Sequence, residues 1–471
     1  MTDGDGRYLT HLTKPGKKSA LEEATAEVEE DDQADQVEEV EQDGEDESDD
    51  QEVDNVETDD VEKEEKGSEE SLTDMQKELE KKPMEVVAAM TVLWIQEHGL
   101  EKTLQLIGAD STKPVTGWRA GVIAWIEKKI GRKLHWLICM AHTNELGLRQ
   151  LIQTLDGKTD SKKGFSGPLG KLLKKVDTMK TNRNFKKISV GPELIELPSE
   201  IVKTLSTDAN LAYLRCKAVR SGILPRDVEL RKTGEIVHSR WLTTGSTFLD
   251  MWMKEHGLTG ELYDRLETIV IYEVSLYFPM FFLLKVKHSW LEAPRHVLHE
   301  LELFRLQSPK VQELLLPTLC RGAWNSHSES VLQTMLCSKA REEREFAVDK
   351  ILQIRGRGEF GDLRPRARKH PQLSLAAEKL QDMINWKGAK EPVLSCSLSI
   401  ADLKKIKDTA MEVPYYPLHT QGIEKAVQET TDASDAVYGF LRRDRFIRAR
   451  AENRELMPVF SSKKNLFRLL E

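Results

Sequence analysis

The sequence predicts an α/β core with a mostly α-helical region after it and an acidic segment before it. Charge divides the chain sharply: residues 21–70 carry 27 Asp and Glu against 2 Lys, whereas residues 71–471 carry 63 Lys and Arg against 50 Asp and Glu, a net charge of +13. Residues 83–156 alternate between helical and strand patterns. From about 196 to 350 the apolar spacing is mostly helical. Alternating helices and strands favour a parallel sheet with crossover helices.

Residues 1–80 form the acidic N-terminal segment, which is polar and almost free of aromatic side chains. Such a segment buries too little apolar surface to offset the entropy of ordering the chain, so we expect it to be disordered. Three roles fit this composition. It could act as a solubilising arm, as a mimic of nucleic acid that folds back on the basic body, or as a binding segment for basic partners such as histones.

The elements of the predicted core follow one another in the order helix, strand, helix, strand, helix. The first helix covers 83–98 and ends at Gly99, and the first strand covers 103–107. The second helix ends at Gly131, and the second strand covers 134–140. Thr143 is a predicted N-cap for the third helix. The apolar stripe of that helix comprises Leu148, Leu151, Ile152 and Leu155.

Composition excludes several classes of protein. Five scattered cysteines do not make a disulfide framework, which favours a reducing, intracellular setting. No apolar leader follows Met1, which argues against secretion. The longest apolar stretch, 269–286, contains Glu273, Pro279 and Lys285, so it predicts a buried helix and not a membrane span.

Candidate functional residues follow both predicted strands. Functional groups in parallel sheets collect beyond the carboxyl ends of the strands, where the sequence places Asp110, Cys139 and His142. Asp110 could hold a catalytic Mg²⁺, or it could cap the following turn. Zinc needs four ligands and no second close pair is visible, so Cys139 and His142 are a possible nucleophile pair or a structural pair at a strand–helix junction.

Basic and aromatic residues make a second set of candidates. Residues 157–190 look loop-like and basic, and they include Lys174 and Lys175, which could contact phosphates or could be only a solvated surface. His238 begins a short motif in which Arg240 could bind phosphate and Trp241 could stack on a base. The alternative places Trp241 in the core and Arg240 on the surface. Glu424 opens a predicted helix, where a lone Glu usually matches the helix dipole.

The order and spacing of these motifs resemble hAT-type transposases, whose RNase H-like core is interrupted by an α-helical insertion. The resemblance is greater still to transposon-derived proteins of animal genomes, and it spans about 84–465. The blocks that carry it are Leu106-Ile-Gly-Ala-Asp110, Gly121-Val-Ile123, His142-Thr-Asn-Glu-Leu146, Leu155-Asp-Gly157, Phe165-Ser-Gly-Pro168, His238-Ser-Arg-Trp-Leu-Thr-Thr244 and Met457-Pro458.

The resemblance implies a role for each motif. Asp110 and Glu424 would be the second and third acids of a DDE triad that binds Mg²⁺ or Mn²⁺ if the chain is active; no other cofactor is expected. Cys139 and His142 would be the Cys-x-x-His motif, and Arg240 and Trp241 would lie near the cleaved DNA end.

It also implies three segments after the acidic one. An RNase H-like α/β core would cover 84–195, a mostly α-helical insertion 196–370, and a C-terminal helical segment that completes the core 373–471.

The chain also departs from the family pattern. The first catalytic Asp of such enzymes lies on the first strand of the core, but only one helix and the acidic segment precede the strand before Asp110. The upstream zinc finger is missing, and the family's Asp-Gly-Thr block is replaced by Asp110-Ser-Thr112. We therefore expect an N-terminally truncated, incomplete RNase H-like core.

The function that this predicts is a catalytically inactive nuclear protein that binds nucleic acid, most simply DNA, through its basic body. One alternative is an active DDE nuclease or transposase. The other is an interaction module whose acidic arm recruits basic proteins. No membrane partner is expected.

Overall fold

The computed structural model describes residues 83–160, 164–234, 241–357 and 371–413. The acidic segment, His238, Arg240 and Glu424 lie outside these residues, and so do the predictions made for them. The chain divides into two compact units. The described part of the first unit is 83–104 and 112–134, and the remaining described residues belong to the second.

The first unit is helical in its described part. Its helices are α1 (Pro83–Glu97), α2 (Lys113–Thr116) and α3 (Val122–Ile130). Helix α1 packs against α3, and Val92, Ile95 and Ile126 are buried. Gly131 ends α3 as predicted, because it adopts a left-handed conformation with φ 71° and donates its N–H to the Glu127 carbonyl.

The second unit contains the predicted pair of parallel strands. Strand β1 (Leu106–Ala109) pairs with β2 (His135–Ile138), with Leu106 opposite His135. The predicted start of β1 at 103 was wrong, because Thr103 lies in a turn in which its N–H donates to the Leu100 carbonyl at 3.1 Å. A two-residue antiparallel pair, β3 (Thr159–Asp160) and β4 (Gly164–Phe165), follows later in the chain.

Helix α4 (Met140–Asp156) follows β2 directly. The prediction that Thr143 is its N-cap was wrong, because Cys139 occupies that position and Thr143 lies in the first turn. The Thr143 hydroxyl donates to the Cys139 carbonyl at 3.1 Å, so it bonds backward along the helix and caps nothing. The predicted stripe is confirmed at Leu148, Leu151 and Ile152, all fully buried.

The prediction of a mostly helical region from about 196 to 350 is confirmed for the described residues. After α5 (Pro168–Leu173), the helices up to residue 357 are α6 (Ser199–Thr204), α7 (Thr207–Ser221), α8 (Arg226–Glu229), α9 (Trp241–Trp252), α10 (Gly260–Tyr272), α11 (Phe278–Val286), α12 (Ala293–Phe304), α13 (Pro309–Gly322), α14 (Ser328–Leu336) and α15 (Arg341–Gly356). Short 3₁₀ turns lie at Val176–Thr178, Trp290–Glu292 and Ala323–Ser326.

Helices α10 and α11 are joined without a break by a π-helical segment, Glu273–Tyr277. Together they make a continuous helix, Gly260–Val286, that is long and apolar enough to cross a membrane, with a mean hydropathy of 1.7 in its most apolar window. However, 78% of that window is buried inside the protein. A buried core helix can be equally long and apolar, so these properties also fit a helix in the core of a folded unit.

Residues 371–413 differ from the helical region predicted to begin at 373. They form 3₁₀ turns at Leu380–Asp382, Trp386–Gly388 and Val393–Ser395 before the single α-helix of this range, α16 (Ile400–Asp408). Helix α16 starts where a local signal permits it. The Ser399 hydroxyl accepts from the Asp402 N–H, and the Asp402 carboxylate accepts from the Ser399 N–H, each at 3.1 Å.

Two apolar clusters support the second unit. One gathers around α4, α7, α9 and the α10–α11 helix, and includes Leu148, Phe248, Phe278 and Phe282. The other gathers around α12, α14, α15 and α16, and includes Leu106 and Leu137 from the parallel strands. Side chains of β1 and β2 thus pack into the second cluster, which fixes the position of the carboxyl ends of both strands.

Candidate functional site at the carboxyl ends of β1 and β2

Asp110, Cys139 and His142 come together at one edge of the parallel strand pair. Asp110 follows the last residue of β1, and Cys139 follows the last residue of β2. A backbone hydrogen bond from the Cys139 N–H to the Ala109 carbonyl, 2.8 Å long, ties the two strand ends together. His142 lies in the first turn of α4. The edge of the sheet therefore gathers a carboxylate, a thiol and an imidazole, as the strand-end rule predicts.

The His142 ring carries the strongest electrostatic signature of this edge. A side-chain hydrogen bond with Cys139 raises the pKa of His142 to about 9, against the opposing effect of burial. The charges of Cys139, Glu145 and Asp110 raise this pKa further. The ring is therefore cationic at neutral pH. Its Nδ1 is buried without a hydrogen-bond partner.

Glu145 is a member of the site that the sequence patterns did not indicate. It lies three residues after His142 and so on the same face of α4. Burial raises the pKa of Glu145 to about 7, although the charges of His142 and Lys285 oppose the rise. The helical spacing within His142-Thr-Asn-Glu-Leu146 was the available signal for this residue.

Polar groups continue from this edge to the π-helical segment. The Asn144 side-chain amide donates to the Tyr277 carbonyl at 3.0 Å. Burial, followed by the charges of Glu145 and Glu273, raises the pKa of Tyr277 well above its usual range. The Tyr277 hydroxyl and both Glu273 carboxylate oxygens are buried and make no hydrogen bond. Segments of π-helix often mark functional positions, and this one carries unpaired polar atoms and contacts α4 through Asn144.

The site contains one hydrogen-bonded acid–base pair, Cys139 and His142, and one carboxylate that was predicted to bind metal, Asp110. Among the described residues, no group of three or more His, Cys, Asp or Glu side chains could hold a metal ion. Asp110 is the one predicted DDE acid in the described ranges, because Glu424 lies outside them. Cys139 and His142 form the hydrogen-bonded pair at the strand–helix junction, which both the nucleophile and the structural interpretation require.

Trp241 lies in the interior, away from solvent. It begins α9, is 5% exposed, and packs edge-on against Phe165 with the ring centroids 6.5 Å apart. This placement matches the alternative in which Trp241 belongs to the core, and it leaves little indole surface for stacking on a base. Its predicted partners Arg240 and His238 are not described.

Lys174 and Lys175 are exposed and lie just after α5. Helix α5 is held at the far end of α4 from Cys139, because the Asp156 carboxylate accepts from the N–H groups of Leu169 at 2.8 Å and Gly170 at 2.6 Å. Helix α4 has 17 residues and is therefore about 25 Å long. The structure thus separates the two sets of predicted residues along α4.

Comparison of the chain with protein-family models, with curated proteins and with solved structures finds no match.

Proposed function

We propose that this chain is a hAT-like transposase-derived nuclear protein that binds nucleic acid through its basic region and does not cut it. The observation that carries the proposal is the meeting of Asp110 with the hydrogen-bonded Cys139 and His142 pair at the carboxyl edge of two parallel strands. The resemblance assigns the same motifs to the catalytic edge of an RNase H-like core. The net charge of +13 on residues 71–471 supports a nucleic-acid partner.

In this proposal the second unit contains an RNase H-like core. Strands β1 and β2 with α4 would belong to that core, and the helices between residues 196 and 357 would be the insertion. The edge that carries Asp110, Cys139 and His142 would then correspond to the catalytic edge of a transposase core. The described residues between 196 and 357 contribute helices and no strand.

The binding half of the proposal is tested with the full chain and a fluorescently labelled DNA duplex of about 20 base pairs at about 50 mM salt. We expect an anisotropy change that unlabelled duplex reverses by competition. A chain that is folded by circular dichroism and shows no anisotropy change at micromolar concentration with duplex DNA, single-stranded DNA or RNA would contradict it.

The claim that the chain does not cut nucleic acid is tested by a strand-cleavage assay with Mg²⁺ or Mn²⁺, since the alternative function is an active DDE nuclease. We expect no cleavage by the parent chain, by Asp110→Ala or by Glu424→Ala. Cleavage by the parent that both substitutions abolish would overturn the non-cutting assignment. Losses of several orders of magnitude follow the removal of a metal-bridging acid, so the assay separates the two functions clearly.

A further inference from the structure

Residues 164–190 hold an unusual concentration of positive charge. They carry seven Lys and Arg against one acidic residue, Asp177. Two of the seven cations make ion pairs, Arg183 with Glu229 and Lys186 with Glu267. The other five are exposed, make no ion pair with a described side chain, and are here called the lysine surface: Lys171, Lys174, Lys175, Lys180 and Lys187. Asp177 is itself within 3.9 Å of another cation, Lys232.

Hydrogen bonds from neighbouring elements hold the backbone that carries the lysine surface. The Lys180 carbonyl accepts from the Glu255 N–H at 2.8 Å, and the Asn182 N–H donates to the Met253 carbonyl at 2.9 Å. The Trp252 indole N–H donates to the Lys186 carbonyl at 2.8 Å. The positive charges are thus presented by a segment fixed against the end of α9.

Four of the five lysines of the lysine surface, all but Lys187, lie close together in the chain. Lys180 lies nine positions after Lys171, so their Cα atoms are at most about 32 Å apart even in an extended chain. Duplex DNA carries one phosphate charge about every 1.7 Å along its axis. Several phosphates therefore fall within the reach of these side chains at the same time.

The aromatic side chains near the lysine surface favour a duplex over a single strand. Proteins that bind single strands combine positive charge with exposed aromatic rings on which bases stack. Here Phe165, Phe185, Trp241 and Trp252 are all buried. Tyr263, which packs on Trp252, is only partly exposed. Positive charge with no fully exposed aromatic ring beside it in the described ranges fits contacts to the phosphate backbone, which fix position and carry little sequence information.

We propose that the lysine surface binds the phosphate backbone of duplex DNA without reading its sequence. This inference rests on the proposed function and names the surface that performs it. It places the contact about 25 Å along α4 from Asp110 and Cys139, so binding is expected to be independent of that site.

The test compares two triple variants of the full chain that remove the same charge. One removes part of the lysine surface, Lys174→Ala with Lys175→Ala and Lys180→Ala. The matched control removes three exposed lysines elsewhere in the second unit, Lys310→Ala with Lys339→Ala and Lys379→Ala. Circular dichroism and the thermal unfolding midpoint establish that each variant is folded. Affinity for duplex DNA is then measured at several salt concentrations.

We expect the lysine-surface variant to bind duplex DNA at least about ten-fold more weakly at low salt. The slope of log affinity against log salt should become shallower by about 2.7, which is about 0.9 for each phosphate that a lysine no longer neutralises. The control should stay within about three-fold of the parent, as expected for charges that touch no phosphate. Scrambled duplex sequences should bind equally well.

Equal weakening in both variants would overturn the inference, because net charge alone would then explain binding. Tighter binding of a single strand or of duplex RNA, with the same dependence on the lysines, would also overturn it by naming another partner. Binding by the parent that the lysine-surface variant retains would overturn this inference alone and leave the proposed function standing. A folded parent with no affinity for nucleic acid would contradict both.

Discussion

At the scale of single residues, Glu273 is the most unusual group in the described part of the chain. It is fully buried in the π-helical segment, and neither carboxylate oxygen makes a hydrogen bond. Burial raises the pKa of Glu273 well above its usual range, so the folded protein favours the neutral acid. An unfolded Glu ionises near pH 4.5. The contribution of Glu273 to the free energy of unfolding is therefore complete below pH 4.5 and is lost as the pH rises above it.

Replacing Glu273 with Gln should remove this pH dependence while conserving the side-chain shape. The parent's free energy of unfolding should fall relative to that of Glu273→Gln by up to about 1.4 kcal/mol per pH unit between pH 4.5 and 7. Glu145 and Glu300, whose pKa values burial raises to about 7, contribute with the same sign in both proteins and cancel in the comparison.

Urea unfolding at a series of pH values measures the difference. The exposed Glu378→Gln is the matched control, which should follow the parent's profile. Parallel profiles for the parent and Glu273→Gln would show that Glu273 does not change its ionisation on unfolding, contrary to its burial.

The second prediction at this scale concerns the raised pKa of His142. Its pKa in the folded chain is about 9, raised first by the hydrogen bond with Cys139. A raised histidine pKa stabilises the fold below the unfolded value of 6.5, and the contribution is lost as the pH rises from 6.5 towards about 9. Cys139→Ala removes the hydrogen bond and should lower the pKa of His142, as read from the ring resonances in an NMR titration.

Cys396→Ala, which alters a half-buried thiol in another part of the second unit, is the control and should leave the titration of His142 unchanged. If His142 still titrates near 9 without the Cys139 thiol, the hydrogen bond is not the cause of the raised pKa. If His142 already titrates near 6.5 in the parent, its ring is not cationic at neutral pH and the hydrogen bond with Cys139 does not raise its pKa.

At the scale of elements, Gly147 sets how closely α4 approaches α10. A Cβ atom at Gly147 would lie 2.1 Å from the Tyr272 hydroxyl and 3.3 Å from the ring carbon that bears it. Gly147→Ala should therefore destabilise the protein by about 1–3 kcal/mol through overpacking. Tyr272→Phe removes the clashing oxygen, so the double variant should recover part of that stability.

A double-mutant cycle measured by urea unfolding tests this contact. Gly99→Ala is unsuitable as a control because that glycine has a positive φ. Gly356→Ala is suitable, since no atom lies within 4 Å of its added Cβ. Strictly additive effects of Gly147→Ala and Tyr272→Phe would show that the two helices do not meet through this contact.

The elements also show what sequence patterns could and could not predict. Gly131 ends its helix because only glycine adopts its left-handed conformation easily, and this signal is local. Strand-end placement predicted that Asp110, Cys139 and His142 would meet, because parallel strands align their carboxyl ends. Glu273 and Tyr277 lie some 130 residues further along the chain in one π-helical segment, and only tertiary packing brings the Tyr277 carbonyl against Asn144 of α4. No local pattern identifies them.

At the scale of the whole molecule, charge distribution matters more than net charge. The chain carries −10 overall, which by itself would repel nucleic acid. The negative charge is concentrated in residues 21–70, whereas the lysine surface presents five cations without ion pairs to described side chains. At the salt concentration of a cell, electrostatic attraction extends only about 8 Å, so the local surface should decide binding.

The salt dependence of duplex DNA binding by the full chain decides whether this protein holds nucleic acid through its basic body. If the lysine surface engages three to five phosphates, log affinity should fall linearly with log salt, with a slope between about −2.7 and −4.5. Absence of binding at about 50 mM salt, or an affinity that does not change as salt rises to about 200 mM, would contradict that claim.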